Sequence, residues 1–154
     1  MILAPSLYIL RHGETTWNAS GRLQGHFHAD LTDKGRGQAQ AQNAILKGRD
    51  LAGFCALSSP QTRALDTARL ALAGLDKEIV PEPALSEIGL GDWAGRTRAD
   101  LLAQTKARDG FDLYDLAPGG EGLQALHTRC TQFLKQLEQP TIVITHGMPS
   151  SAII

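Results

Sequence analysis

Apolar and polar positions along this chain follow two different periods. Four short apolar runs, at residues 7–10, 54–57, 78–80 and 141–145, are bounded by turn formers, as buried parallel strands are. Most of what separates them repeats with helical period. Thr32 can cap a helix from Asp33 to about Leu46, and Ser58-Ser59-Pro60 sets a capping serine before a proline at the first helical position, opening a helix over 61–73. Two further helices are expected over 96–106 and 121–138. Glycine- and proline-rich connections cover 85–95 and 111–120, and Pro118-Gly119-Gly120 is the strongest breaker. Alternating strands and helices predict an α/β fold around an open, mostly parallel sheet.

Two of the strands end alike, one running into Arg11-His12-Gly13 and the other into Thr145-His146-Gly147. Open parallel sheets bind ligands beyond the carboxyl ends of their strands. His12 and His146 are therefore expected to converge where chemistry occurs.

Composition narrows the choice. A chain of 154 residues fits a single domain, 1–154, with one active site. Fifteen Lys and Arg against sixteen Asp and Glu create no overall field for nucleic acid or an anionic membrane, so any anion must be held by a local cluster. Cys55 and Cys130 lack metal-ligand spacing and read as buried thiols in a reducing cytoplasm. The apolar start over 1–5 has no basic leader and no cleavage site, and it runs straight into the first histidine motif. It reads as structure, not a signal. No apolar stretch approaches the roughly 20 residues of a membrane span, and the expected location is cytoplasmic.

Around His12 stand a permanent cation, Arg11, and an amide, Asn18. Arginine clamps a phosphate with paired hydrogen bonds, and neutral imidazole can attack phosphorus. Alone, a strand-end histidine is more often structural than catalytic. Arg63 changes this: it falls in the first turn of the helix after the second strand, where free N–H groups and the helix dipole favour an anion. Arg69, further along that helix, reads as a solvated surface residue. Arg11, Arg63, His12 and His146 supply two fixed charges and two imidazoles, with no aspartate cluster to hold Mg²⁺. That is a set for phosphoryl chemistry without a metal. A proton donor is still needed. Glu87 and Asp92, both in the loop over 85–95, are equally placed by spacing alone.

The motifs RHGETTWN at 11–18, GRLQG at 21–25, SSPQTRALDTA at 58–68, LSEIGLGDWAG at 85–95, PGGEG at 118–122 and THGM at 145–148 follow one another in an order that resembles the histidine phosphatase superfamily, in its phosphoglycerate-mutase-like branch. The resemblance implies a three-layer αβα sandwich and a metabolic phosphatase or mutase without cofactor. It implies that His12 is phosphorylated, that Arg11, Arg63 and His146 hold the phosphoryl oxygens, and that Glu87, not Asp92, donates the proton. Asn18, Gln24 and Gly147 fall near the phosphate pocket by the same resemblance. Glu121 matches an acidic family position, and support of the fold from a helix N-terminus accounts for it equally well.

The chain departs from the family pattern at His26 and His28, an alternating pair without a third ligand, and no metal is expected there. It also lacks the serine that commonly follows the glutamate of PGGEG. The sequence ends at Ile154, where relatives continue, so 149–154 reads as a core helix cut short and the fold as shortened at its C-terminus. The expected function is a metal-independent phosphatase acting on small phosphate monoesters through a phosphohistidine. The rivals are a phosphoglycerate-type mutase, disfavoured by the short connection over 96–117, and a non-catalytic binder of phosphorylated ligands. The expected partner is a small phosphorylated metabolite, and a homodimer is compatible with the sequence. Phe111, Leu113 and Tyr114 either line the entrance or pack on the core.

Overall fold

The computed structural model describes residues 5–154, so all but the last residue of the apolar start lies outside it. Strands β1 (Leu7–Arg11), β2 (Cys55–Ser58), β3 (Ile79–Pro81) and β4 (Thr141–Thr145) form one sheet in the order β1-β4-β2-β3, with every pairing parallel. All five residues of β4 are buried, which is why this segment is an unbroken run and does not alternate with polar residues.

Helices α1 (Thr16–Ala19), α2 (Asp33–Lys47), α3 (Thr62–Ala71), α4 (Arg98–Gln104), α5 (Gly110–Asp115), α6 (Leu123–Lys135) and α7 (Gly147–Ile153) complete the chain. Successive β4 side chains point to opposite faces. Ile142 and Ile144 pack with Leu10, Leu46, Ala64 and Ala68 under α2 and α3. Val143 packs with Leu85 and Phe133, and with Leu134 and Ile153 from α6 and α7. The result is the expected layered α/β arrangement. A third cluster, including Ile88, Leu90, Trp93, Leu113, Cys130 and Met148, anchors the loop that carries Glu87.

Several local expectations are corrected. α3 begins at Thr62 with Gln61 as its N-cap, so Pro60 stays outside the helix and neither Ser58 nor Ser59 caps it. Ser58 donates to the Ser59 carbonyl, and the Ser59 hydroxyl is engaged across the sheet. α4 and α6 are shorter at both ends than predicted. Inside the connection over 111–120 lies α5, nucleated by the Asp109 carboxylate, which accepts from the Phe111 and Asp112 amides. The single turn α1 lies outside the predicted helices, and Thr15 and Asn18 form a reciprocal capping box at its start. Thr32 does cap α2, accepting from the Gly35 amide. Among the described residues no helix is long and apolar enough to cross a membrane.

The turn after His12 rests directly on the first turn of α2. A Cβ on Gly13 would run into the Gly35 carbonyl, and one on Gly35 into the Glu14 carbonyl. Gly35→Ala is therefore expected to lower the unfolding free energy by about 1–3 kcal/mol, as overpacking against rigid backbone does. Gly37, two residues along the same helix, has open space around its Cβ position. Gly37→Ala is expected to raise stability by up to about 1 kcal/mol through helix propensity. Urea denaturation of both variants should give opposite signs; a shift of the same sign in both would contradict the close approach.

Candidate active site

Strand register assembles the site. Arg11 pairs with Thr145 and Ser58 with Ile144, so the next residues of β1, β4 and β2, His12, His146 and Ser59, emerge side by side. Their backbones are tied: the His12 amide donates to Thr145 O and the Ser59 amide to Ile144 O, both at 2.9 Å. The His12 and His146 ring centroids are 5.0 Å apart.

His12 is buried, and its Nδ1 lies 2.7 Å from the Gly13 carbonyl. A carbonyl only accepts, so the proton is on Nδ1 and Nε2 carries a lone pair. Arg63 Nε donates to that lone pair at 3.3 Å. Arg63 is itself only 3% exposed, its fork held by the Gly25 carbonyl at 2.8 Å and the Phe27 carbonyl at 3.2 Å.

A cavity of about 610 Å³ opens above His12, and Arg11, Arg63, Glu87, Asn18 and Gln24 line it with His12. Asn18 Oδ1 accepts from the Thr15 amide, leaving its own NH₂ for a ligand. Gln24 is buried, accepting from the Thr15 hydroxyl at 2.8 Å and donating to Phe27 O at 3.0 Å. His146 and Gly147 do not line the cavity. His146 is wholly buried behind it, and Gly147 opens α7 beside the Arg11 guanidinium. Asp92 is exposed in the turn of 3₁₀ helix Gly91–Trp93 and also stays out. Arg69 lies outside the cavity, paired with Asp66 on the surface.

Burial sets the protonation states. Loss of solvation, reinforced by the Arg63 and Arg11 charges and only partly offset by the Gly13 carbonyl, drives the His12 pKa down to about 4. Burial likewise pushes the Arg63 pKa down to about 10, which leaves it charged at neutral pH. His146 is held neutral, well below the usual imidazole value, by burial and by the Arg63 charge. Burial raises the Glu87 carboxyl against the opposing pull of the Ile88 amide, Arg63 and Arg11. A neutral imidazole with an unprotonated nitrogen thus shares a cavity with a carboxyl that keeps its proton longer than usual.

The Glu87 loop is pinned from three sides, by Gln61, Arg129 and His26. Gln61 Oε1 accepts from the Glu87 amide at 2.9 Å, and Arg129 donates to the Ala84 carbonyl at 2.6 Å and the Glu87 carbonyl at 3.4 Å. Glu121 lies before α6, not within it, and supports this clamp by pairing with Arg129. His26 donates to the Glu87 carbonyl at 2.8 Å, whereas His28 pairs with Asp30, so the two imidazoles serve different partners. The aromatic loop divides: Leu113 is buried in the core, Phe111 is exposed, and Tyr114 lines the cavity with its hydroxyl 3.1 Å from Arg98. Arg22 and Arg98 also line it. Nothing in their local sequence separates these two from ordinary surface arginines.

The family model for the histidine phosphatase superfamily (branch 1) matches residues 7–154. An adenosylcobalamin/alpha-ribazole phosphatase of Salmonella typhimurium is 36% identical over 159 residues, which cover 96% of this chain and 77% of the relative. A 2,3-bisphosphoglycerate-dependent phosphoglycerate mutase of Beijerinckia indica is 34% identical, covering 96% of this chain and 78% of its own. Among solved structures, a mycobacterial glucosyl-3-phosphoglycerate phosphatase complexed with VO₃ superposes with a TM-score of 0.83 at 30% identity, over 94% of this chain and 76% of the other.

Proposed function

The chain belongs to the histidine phosphatase superfamily, and from that premise we propose that it hydrolyses small phosphate monoesters by two displacements at His12. The observation that carries this reading is the unprotonated Nε2 of His12, neutral at physiological pH and facing a cavity that Arg11, Arg63 and Glu87 line beside it. In the first displacement Nε2 attacks phosphorus in line and the P–O ester bond breaks, its oxygen taking a proton from Glu87. Arg11 and Arg63 stabilise charge on the remaining phosphoryl oxygens, Asn18 and Gln24 flank them, and His146 supports them from its buried place behind His12. In the second, water attacks phosphorus, the P–Nε2 bond breaks to return neutral His12, and the Glu87 carboxylate accepts the proton of the water. No step needs a metal or a cofactor.

The substrate is a phosphorylated metabolite whose alcohol portion extends toward Leu90, Tyr114 and Arg98 on the cavity wall. Similarity to both a phosphatase and a mutase makes the fate of the phosphoryl group the first measurement. A panel of phosphate monoesters should release free phosphate faster than it transfers phosphate to a second alcohol; the reverse ratio would establish a mutase.

The acid role of Glu87 is tested through the leaving group. An alkyl phosphate departs as a basic alkoxide, so Glu87→Gln is expected to slow His12 phosphorylation by about 10²–10⁴-fold. A nitrophenyl ester departs as a stable anion and should be slowed far less. The reading is the single-turnover burst, because dephosphorylation also uses Glu87. In the wild type the alkyl burst should fall as pH rises through the elevated pKa of Glu87, since the donor must be protonated, while the aryl burst should not. Equal losses with both esters would remove Glu87 from this role.

A further inference from the structure

We propose that Ser59 is the positioning residue that fixes the tautomer of His146, placing its single proton on Nδ1 so that the imidazole faces the phosphoryl group as a donor. The donor function rests on the phosphatase reading; the tautomer does not.

Ser59 is wholly buried, and its Oγ lies 2.7 Å from His146 Nε2. The same oxygen accepts from the Gln61 amide at 3.3 Å. Its own hydroxyl proton still needs an acceptor, and His146 Nε2 is the one at hand. Were Nε2 protonated instead, the buried Ser59 proton would have nowhere to go. With Ser59 donating, Nε2 is a lone pair and the proton of the neutral ring sits on Nδ1.

That nitrogen is buried and has no hydrogen-bond partner among the described residues. An orphaned buried donor is costly, and among the described residues Gln42 Oε1 is the one other buried side-chain polar atom without a partner. The ring lies behind that of His12, so a phosphoryl group carried on His12 brings an oxygen to this side of the pair as its acceptor. In the other tautomer the Nδ1 lone pair would repel the same oxygen. The neighbouring histidines are thus set in opposite senses by their partners. Gly13 O accepts a hydrogen bond from His12 Nδ1–H and leaves Nε2 unprotonated for attack, whereas Ser59 donates to His146 Nε2 and leaves Nδ1–H to donate. Ser59 is rigid enough to do this, because its amide is tied to β4 and its neighbour Ser58 spends its hydroxyl on the Ser59 carbonyl.

The test is ¹⁵N NMR on histidine-labelled protein, with His146 assigned by His146→Ala. In the wild type Nδ1 should resonate as a protonated nitrogen and Nε2 as a pyridine-like one; a protonated Nε2 overturns the proposal without any variant being made. In Ser59→Ala the proton should redistribute to Nε2. Inorganic-phosphate affinity and the rate of His12 phosphorylation should each fall about 10- to 100-fold, as for one hydrogen bond to a charged group. In a His146→Ala background, Ser59→Ala should cost less than about twofold. A full additive loss there would mean that Ser59 acts on the fold and not through His146. Ser59-dependent phosphate binding with the Nδ1 tautomer, in a protein that turns over no phosphomonoester, would refute the hydrolase reading and leave the role of Ser59 standing.

Discussion

Alanine in place of His12 is expected to abolish turnover, with a loss of about 10⁵-fold or more, as when an essential nucleophile is removed. His12 Nε2 is the one imidazole nitrogen that the cavity presents without a proton. His146 cannot replace it, because that ring is wholly buried and its Nε2 is occupied by Ser59. The serines near the site are no better placed, since Ser58 and Ser59 are both buried and hydrogen-bonded. Rapid quenching of wild-type enzyme with labelled substrate should trap phosphate in an acid-labile, alkali-stable bond, and peptide mapping should place it on His12. The variant should show neither label nor turnover. An active alanine variant, or label on a serine, would overturn the two-displacement mechanism.

Arg63→Ala should cost about 10³–10⁵-fold in kcat, the range for a positioned arginine in phosphoryl transfer. Arg63 is buried where its charge acts through little water, and two backbone carbonyls hold its fork on the nucleophile. Its removal also releases His12: with the Arg63 charge gone, the His12 pKa should rise from about 4 toward the ordinary imidazole value. Since only neutral His12 attacks, the acid limb of kcat/KM should move to higher pH, a shift that simple misfolding does not produce. Arg63→Lys keeps a charge but cannot reach both carbonyls and the imidazole, and should recover only a small part of the rate. Arg69→Ala, removing an exposed arginine paired with Asp66 on the same helix, should stay within about twofold of wild type. An unshifted acid limb in Arg63→Ala would show that this arginine does not act on His12.

Much of this arrangement is written in local sequence. β4 is buried on both faces and so reads as an unbroken apolar run, and Gly13 and Gly147 mark where β1 and β4 release their histidines. Thr32 capped its helix as a local rule predicts, because the bond it makes spans three residues of one chain segment. Arg63, read from its place in the first turn of a helix, and Glu87, chosen by the family motifs, both line the cavity.

Other features were decided only by tertiary structure. Periodicity says which segments are strands and nothing of which pair, yet it is the insertion of β4 between β1 and β2 that makes His12, His146 and Ser59 neighbours. Glu87 and Asp92 are alike in spacing. They part company because Gln61 and Arg129 pin the backbone of Glu87 at the cavity while the turn from Gly91 leaves Asp92 exposed. Ser59 satisfies the local pattern of a helix cap, but across the sheet it meets His146, and that bond removes it from the cap. A hydrogen bond between residues 87 positions apart leaves no trace in either one's neighbourhood, so the chain could show both ends of it and not the contact.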